Sequence, residues 1–257
     1  MGGPSLRAVV TKAEVGPADV LSLDLRAPAP VPEGSTLVLR HRRQGDDRAA
    51  PLPSASAEVE LHPLALRPGL WDAYLRAGED ETKIRSVDPG FSLDALDVYA
   101  LRPREISFLA YRTQGGHLAL RVREATPAVD VRAVWLREGR FEVTGLLVFT
   151  GLTPGAVRRD AALLLDAKEV PATVEGVRFH AAVSLVDLIE HALRGDLPLS
   201  LRVEDLPGDL RLGARLDDVP GKRRRLRYPP AVVDGVPLRF FYDEREELWI
   251  GAERGAG

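Results

Sequence analysis

Val20-Leu21-Ser22-Leu23-Asp24-Leu25-Arg26 alternates apolar and polar residues at every step. A period of two sends successive side chains to opposite faces, so this run reads as a strand with one side on a core and the other in water. Glu58-Val59-Glu60-Leu61 and Leu118-Ala119-Leu120-Arg121-Val122 follow the same rule. Between such runs lie stretches rich in Gly, Pro and Asp: Pro28 to Gly34, Gln44-Gly45-Asp46-Asp47, Gln114-Gly115-Gly116, Arg137-Glu138-Gly139 and Asp234-Gly235. Many short strands punctuated in this way predict an all-β chain built as sandwiches or barrels. One segment breaks the pattern. Ser184 to Arg194, with a capping Ser at its start and Gly195 after it, predicts a short amphipathic helix.

Outward from these strands the chain echoes itself. Val59-Glu60-Leu61-His62-Pro63-Leu64 matches Val183-Ser184-Leu185-Val186-Asp187-Leu188 at a spacing of about 124 residues. Gly69 to Arg76 matches Gly195 to Arg202 at about 126. Tyr111 with the hairpin ending Leu118-Ala119-Leu120 matches Tyr242 with the hairpin ending Leu248-Trp249-Ile250 at about 130. A preserved order with a slowly drifting spacing is what a duplicated domain with altered loops produces. The expected organisation is therefore two tandem antiparallel β-sandwich domains, 1–125 and 129–257, joined by a linker around Ala125-Thr126-Pro127-Ala128.

Bulk chemistry narrows the function classes. Across 257 residues, 35 Lys and Arg against 38 Asp and Glu give a net charge of -3, which argues against a nucleic-acid partner. There is no Cys, so neither disulfides nor thiolate metal sites arise. No stretch approaches the roughly 18–20 apolar residues of a membrane span, and Met1-Gly2-Gly3-Pro4-Ser5-Leu6 has no basic-then-apolar leader, so the expectation is a cytoplasmic chain without a transmembrane segment. His41, His62, His117, His180 and His191 stand at no ligand spacing, and no cofactor is expected. No nucleophile elbow, phosphate loop or dinucleotide fingerprint is present. Acidic residues such as Glu79-Asp80-Glu81 and Asp243-Glu244 fall in expected turns beside Arg, as solvated loops do. The chain reads as a non-enzyme.

Two features are candidates for binding. Lys222-Arg223-Arg224-Arg225-Leu226-Arg227 is the strong basic run, suited to an anionic partner, a phosphate-rich polymer or the acidic face of a membrane, or balanced as a solvated strand or loop by Asp217 and Asp218. Trp71 and Tyr74 lie an odd number of positions apart, so one of the two is expected to face solvent, where an aromatic stacks on sugar. Trp135, Trp249, Tyr111 and Tyr242 are expected in the core. The candidate ligand-binding set is Trp71, Tyr74, Arg223, Arg224 and Arg225.

Leu66-Arg67-Pro68-Gly69-Leu70-Trp71-Asp72-Ala73-Tyr74-Leu75, followed by Tyr111-Arg112-Thr113-Gln114-Gly115-Gly116-His117-Leu118-Ala119-Leu120, carries a resemblance. It resembles the non-catalytic C-terminal region that follows the family 2-like glycosyltransferase domain in many actinobacterial cell-envelope enzymes. That region is similar to the tandem immunoglobulin-like domains of wall teichoic acid glycosyltransferases. The pattern runs Pro-Gly-x-Trp-Asp-x-Tyr/Trp, then Tyr-x-Thr-x-x-Gly-Asn-Leu-Ser-Leu. This chain keeps Pro68, Gly69, Trp71, Asp72, Tyr111 and Thr113, and departs at Gly116-His117-Leu118-Ala119-Leu120, where the Asn is replaced by His117.

The resemblance implies an accessory or oligomerisation module, self-associating as a dimer or trimer or held to a glycosyltransferase catalytic domain. Through such a partner it would sit at the inner face of the membrane. The alternative is a free-standing carbohydrate-binding protein that recognises an anionic cell-wall polymer.

Overall fold

The computed structural model describes residues 8–88, 93–166, 168–214, 216 and 222–252, and every side chain in them except those at 93, 94, 222 and 225. The chain divides into two compact units, the first comprising 1–99 and 104–125 and the second 100–103 and 126–257. Both are built mainly of antiparallel strands.

The first unit contains β1 (Val9–Val15), β2 (Val20–Arg26), β3 (Thr36–His41), β4 (Asp47–Pro51), β5 (Ser56–Glu60), β6 (Gly69–Ala77), β7 (Asp80–Lys83), β8 (Arg85–Ser86), α1 (Leu93–Ala100), β9 (Ile106–Arg112) and β10 (Leu118–Glu124). One sheet runs in the order β5-β2-β1-β8, the other β4-β3-β6-β10-β9 with β7 beside β6. The alternation in β2 does what its period requires. Leu21, Leu23 and Leu25 turn inward and meet Leu37 and Leu39 of β3, Trp71 and Leu75 of β6, and Leu120 and Val122 of β10. In β10 the five residues Leu118 to Val122 are buried on both faces, so that run has no wet side.

The second unit contains β11 (Ala128–Arg137), β12 (Arg140–Val148), β13 (Arg158–Leu165), β14 (Lys168–Glu175), β15 (Arg178–Ser184), α2 (Leu185–Ala192), β16 (Leu197–Pro198), β17 (Ser200–Val203), β18 (Leu210–Gly213), α3 (Lys222–Arg225), β19 (Ala231–Val233), β20 (Val236–Tyr242) and β21 (Leu248–Ala252). Its strand neighbours reproduce those of the first unit: β15-β12-β11-β18 answers β5-β2-β1-β8, with the last pair parallel in both. Each first strand also carries a register break at the same place, Val10/Lys12 in β1 and Val131/Ala133 in β11.

The registers of the two units run alike. Leu120 lies opposite Trp71 in one unit and Ile250 opposite Leu197 in the other. Leu37 lies opposite Leu75, and Leu163 opposite Leu201. Gly69–Arg76 and Gly195–Arg202 thus have similarly placed strand partners. Pro198 takes the place of Asp72 and has no N–H to donate, and here the single strand β6 becomes two, β16 and β17.

Two sequence expectations need correction. Leu118 lies opposite Arg112 and Leu248 opposite Tyr242, so Tyr111 corresponds to Phe241, and the pairing of Tyr111 with Tyr242 is one residue out of register. A slip of one flips the side chain to the other face, and indeed Tyr242 is buried while Tyr111 is not.

The second correction concerns architecture. The second unit closes a seven-stranded ring, β11-β12-β15-β14-β13-β17-β18, against a four-stranded sheet β16-β21-β20-β19, rather than forming an open sandwich. The difference lies between the fourth and fifth strands. A two-residue turn at Gly176-Val177 lets β14 pair with β15, whereas Pro51 and Pro53 carry the chain from β4 to β5 without such a hairpin. Phe141 of the ring stacks on Phe240 of the four-stranded sheet at 5.0 Å between ring centres, joining the two layers of this core.

Helices are few. α2 begins as its sequence demands, with the Ser184 hydroxyl accepting from the Val186 N–H at 3.3 Å and Leu185, Leu188, Ile189 and Ala192 turned inward. α1 has no counterpart in the sequence reading. No helix among the described residues is long and apolar enough to cross a membrane.

Candidate functional site

The Pro68-Gly69-Leu70-Trp71-Asp72 segment is held as one piece. Gly69 has φ of 146°, and the imidazole of His41 lies against it so closely that a Cβ there would stand 2.2 Å from Nε2. Only glycine fits both the angle and the space. The same imidazole meets the Trp71 ring edge-on at 5.0 Å, and its Nδ1 accepts from the Gln44 N–H at 3.1 Å. Trp71 is fully buried, and its indole N–H donates to the Arg67 carbonyl at 2.9 Å. In that position it has no face to offer a sugar.

Opposite-face alternation along β6 puts Asp72 and Tyr74 on the side away from Trp71. Asp72 is buried, and its carboxylate meets Arg42 at 2.7 Å and Lys83 at 3.0 Å. Burial alone would push its pKa up, and the two cations more than offset that, leaving it below the usual carboxylate range. Tyr74 is half-buried under charge: the Arg40 guanidinium lies 4.7 Å and the Lys83 ammonium 5.7 Å from its ring centre. Arg40 in turn pairs with Asp47 and Glu81. The one-in, one-out expectation for Trp71 and Tyr74 thus holds for direction, but the outward ring is already occupied by two cations of its own chain.

Beside this segment opens a cavity of about 390 Å³, lined by residues 41–44 and by Pro68, Gly69 and Leu70. No signal in the sequence marked it, because Arg42-Arg43 reads as ordinary turn chemistry before Gln44-Gly45.

The basic run folds as the short helix α3 rather than as strand or loop. Arg223 pairs with Glu244 at 2.7 Å, with both side chains largely in solvent, and Arg224 is exposed. The side chain of Arg225 lies outside the described residues, as do Asp217 and Asp218, which were expected to balance the run. Tyr228, just beyond, sits 6.3 Å from Tyr242, ring centre to ring centre. The five expected ligand residues are thus divided between the two units, with Trp71 and Tyr74 in one and the arginines in the other.

The expectation that Trp135 is core is overturned. It is 41% exposed on the outer side of β11, opposite Glu142 of β12, with the Arg137 guanidinium 5.8 Å from its ring. Its neighbours explain this: Val131 and Val129 fill the inward positions of that strand, and the register break at Arg132 changes which residues point in. Among the described residues no group of three or more His, Asp or Glu side chains is arranged to hold a metal ion.

Comparison with known proteins adds little. No family model matches the sequence, and no curated protein does. Among solved structures the chain is similar to S. aureus TarS 217-571, at 12% identity and a TM-score of 0.38 over 80% of this chain and 62% of that one. It is also similar to S. aureus TarS at 12% identity and a TM-score of 0.36, over 80% of this chain and 39% of that one. The chain therefore spans less than two thirds of either. Likenesses of this size carry no functional weight.

Proposed function

We propose that this chain is a non-catalytic accessory module of a cell-envelope polymer glycosyltransferase, and that it holds subunits together. The observation that supports this reading is the employment of the residues that carry the sequence resemblance. Gly69 seats His41, Trp71 fills the core, Asp72 binds Arg42 and Lys83, and the Thr113 hydroxyl accepts from the His117 N–H at 3.0 Å to close the last hairpin. Each maintains a shape, as a pattern kept for scaffolding would.

The repeated strand order supports descent of both units from one ancestor, and we assign 1–125 and 129–257 as separately folding domains. Light scattering of the purified chain over a concentration range tests the assembly role. A dimer or trimer is the expected result, and a monomer at every concentration would remove it.

A second reading has one observation in its favour. Trp135 presents an exposed indole with Glu142 across the strand pair and Arg137 over the ring, the mixture of flat apolar face and polar rim that sugars bind. A carbohydrate-binding protein would lose affinity for an acidic glycan on Trp135→Ala, and a glycan panel run with both forms decides this.

A further inference from the structure

Four arginines on β3, β6 and the segments beside them have carboxylate partners. Arg40 pairs with Asp47, Arg42 with Asp72, Arg67 with Asp46 and Arg76 with Glu81. Arg43, exposed and lining the 390 Å³ cavity, has none among the described residues. No carboxylate lines the cavity. Asp72 is met by two cations and Asp46 by Arg67, so with two arginines and no acid in its lining the space favours an anion.

Its walls are fixed. Arg42 is tethered at 2.7 Å by the buried Asp72, and its backbone N–H donates to the Leu70 carbonyl at 2.8 Å. His41 lines the cavity with both nitrogens engaged. Nδ1 accepts from Gln44, which leaves the proton on Nε2, facing the Pro68 carbonyl at 3.4 Å. The histidine is therefore structural here, and the polar side chains left for a ligand are Arg43, the tethered Arg42 and the Gln44 carboxamide. Pro68 and Leu70 supply an apolar flank.

We propose that this cavity binds a phosphate monoester carried on a small organic body. Two arginines line the space, Arg42 tethered to Asp72 and Arg43 without a carboxylate partner among the described residues, and a guanidinium presents a planar fork of N–H donors suited to the oxygens of a dianion. The volume lies in the lower part of the range of small-molecule sites and holds roughly a dozen waters, far more than a bare phosphate displaces. The proposal rests on the cavity alone and stands whether or not the chain self-associates.

Isothermal titration of the full chain with inorganic phosphate, glucose 6-phosphate, dimethyl phosphate and glucose tests it. Glucose 6-phosphate is expected to bind at or below about 1 mM, more tightly than inorganic phosphate. Dimethyl phosphate, a monoanionic diester, is expected to be weaker still, and glucose to give no heat. Arg43→Ala, which breaks no ion pair within the described residues, should weaken glucose 6-phosphate at least tenfold, and Arg43→Lys should recover part of the loss. Arg224→Ala, which removes an exposed arginine of the second unit, should change nothing. The proposal falls if glucose 6-phosphate gives no binding at 5 mM, about five times the expected constant. It falls equally if dimethyl phosphate or glucose binds as well, or if Arg224→Ala weakens binding as much as Arg43→Ala.

Discussion

The imidazole of His41 occupies the space that a side chain on Gly69 would need, with Nε2 2.2 Å from the position of a Cβ. This contact joins the end of β3 to the start of β6 and supports the edge of Trp71. Gly69→Ala must therefore displace the ring and also hold alanine at φ of 146°. Together these should cost about 2–4 kcal/mol in urea unfolding. His41→Ala in the same chain removes the obstacle but not the angle, so the double variant should recover part of the loss. Simple additivity of the two single changes would show that ring and glycine do not interact.

Trp71 and Trp135 should respond oppositely to truncation. Trp71→Ala empties a fully buried site and abandons the hydrogen bond to Arg67, at an expected cost of about 3–5 kcal/mol. Trp135→Ala removes an exposed ring and should stay within about 0.5 kcal/mol of the parent. Chemical denaturation of both variants is the check. Equal losses would mean that Trp135 is covered in solution, which favours a subunit interface over a free glycan platform.

The strands were legible in the sequence because a period of two is a direct consequence of backbone geometry: β2 and β5 fall where the alternation puts them, and β10 does so in position although both of its faces are covered. Turns were legible for a related reason: at Glu138-Gly139 and Asp234-Gly235 both central residues have positive φ, which the hairpin demands and those residue types accept. Ring closure was not legible. It depends on whether β14 meets β15, and only the absence of prolines like Pro51 and Pro53 hints at it. Trp135 was misread because a register break reverses facing without altering composition. The cavity escaped because Arg42 and Arg43 stand 25 residues or more from Pro68 along the chain, and nothing local marks Arg43 as an arginine with no carboxylate partner among the described residues.

Asp72 gives the first unit an acid-side sensitivity. Its folded pKa is depressed while its unfolded value is about 3.9, so the unfolded chain takes up the proton first as pH falls. The stability it contributes is fully present above pH 4 or so and is lost as pH drops through the folded value. Asp72→Asn should lower stability at pH 7 by about 1–2 kcal/mol, since both cations are partly in solvent. The gap between parent and variant should shrink toward pH 2. Urea midpoints of the two proteins across pH 2–7 provide the test, and a gap that stays constant with pH would show that the carboxylate is not ionically held.

Tyr99 closes a second buried knot in the first unit. Its hydroxyl donates to Asp19 at 2.9 Å and accepts from the Phe108 N–H at 2.8 Å, tying the turn after β1 to the start of β9. Arg104 completes the knot, pairing with Asp19 while its guanidinium lies 3.7 Å from the Tyr99 ring centre. Burial raises the phenol's pKa, so the hydroxyl keeps its proton throughout the neutral range and remains a donor. Tyr99→Phe would leave the Phe108 N–H buried without its acceptor, at an expected cost of about 1–3 kcal/mol. Arg104→Ala should cost more, about 3–5 kcal/mol, because it strands the Asp19 carboxylate. Hydrogen exchange distinguishes the two losses. In Tyr99→Phe the amide of Phe108 should lose protection ahead of its neighbours in β9, whereas unchanged protection there would mean that another group accepts from it.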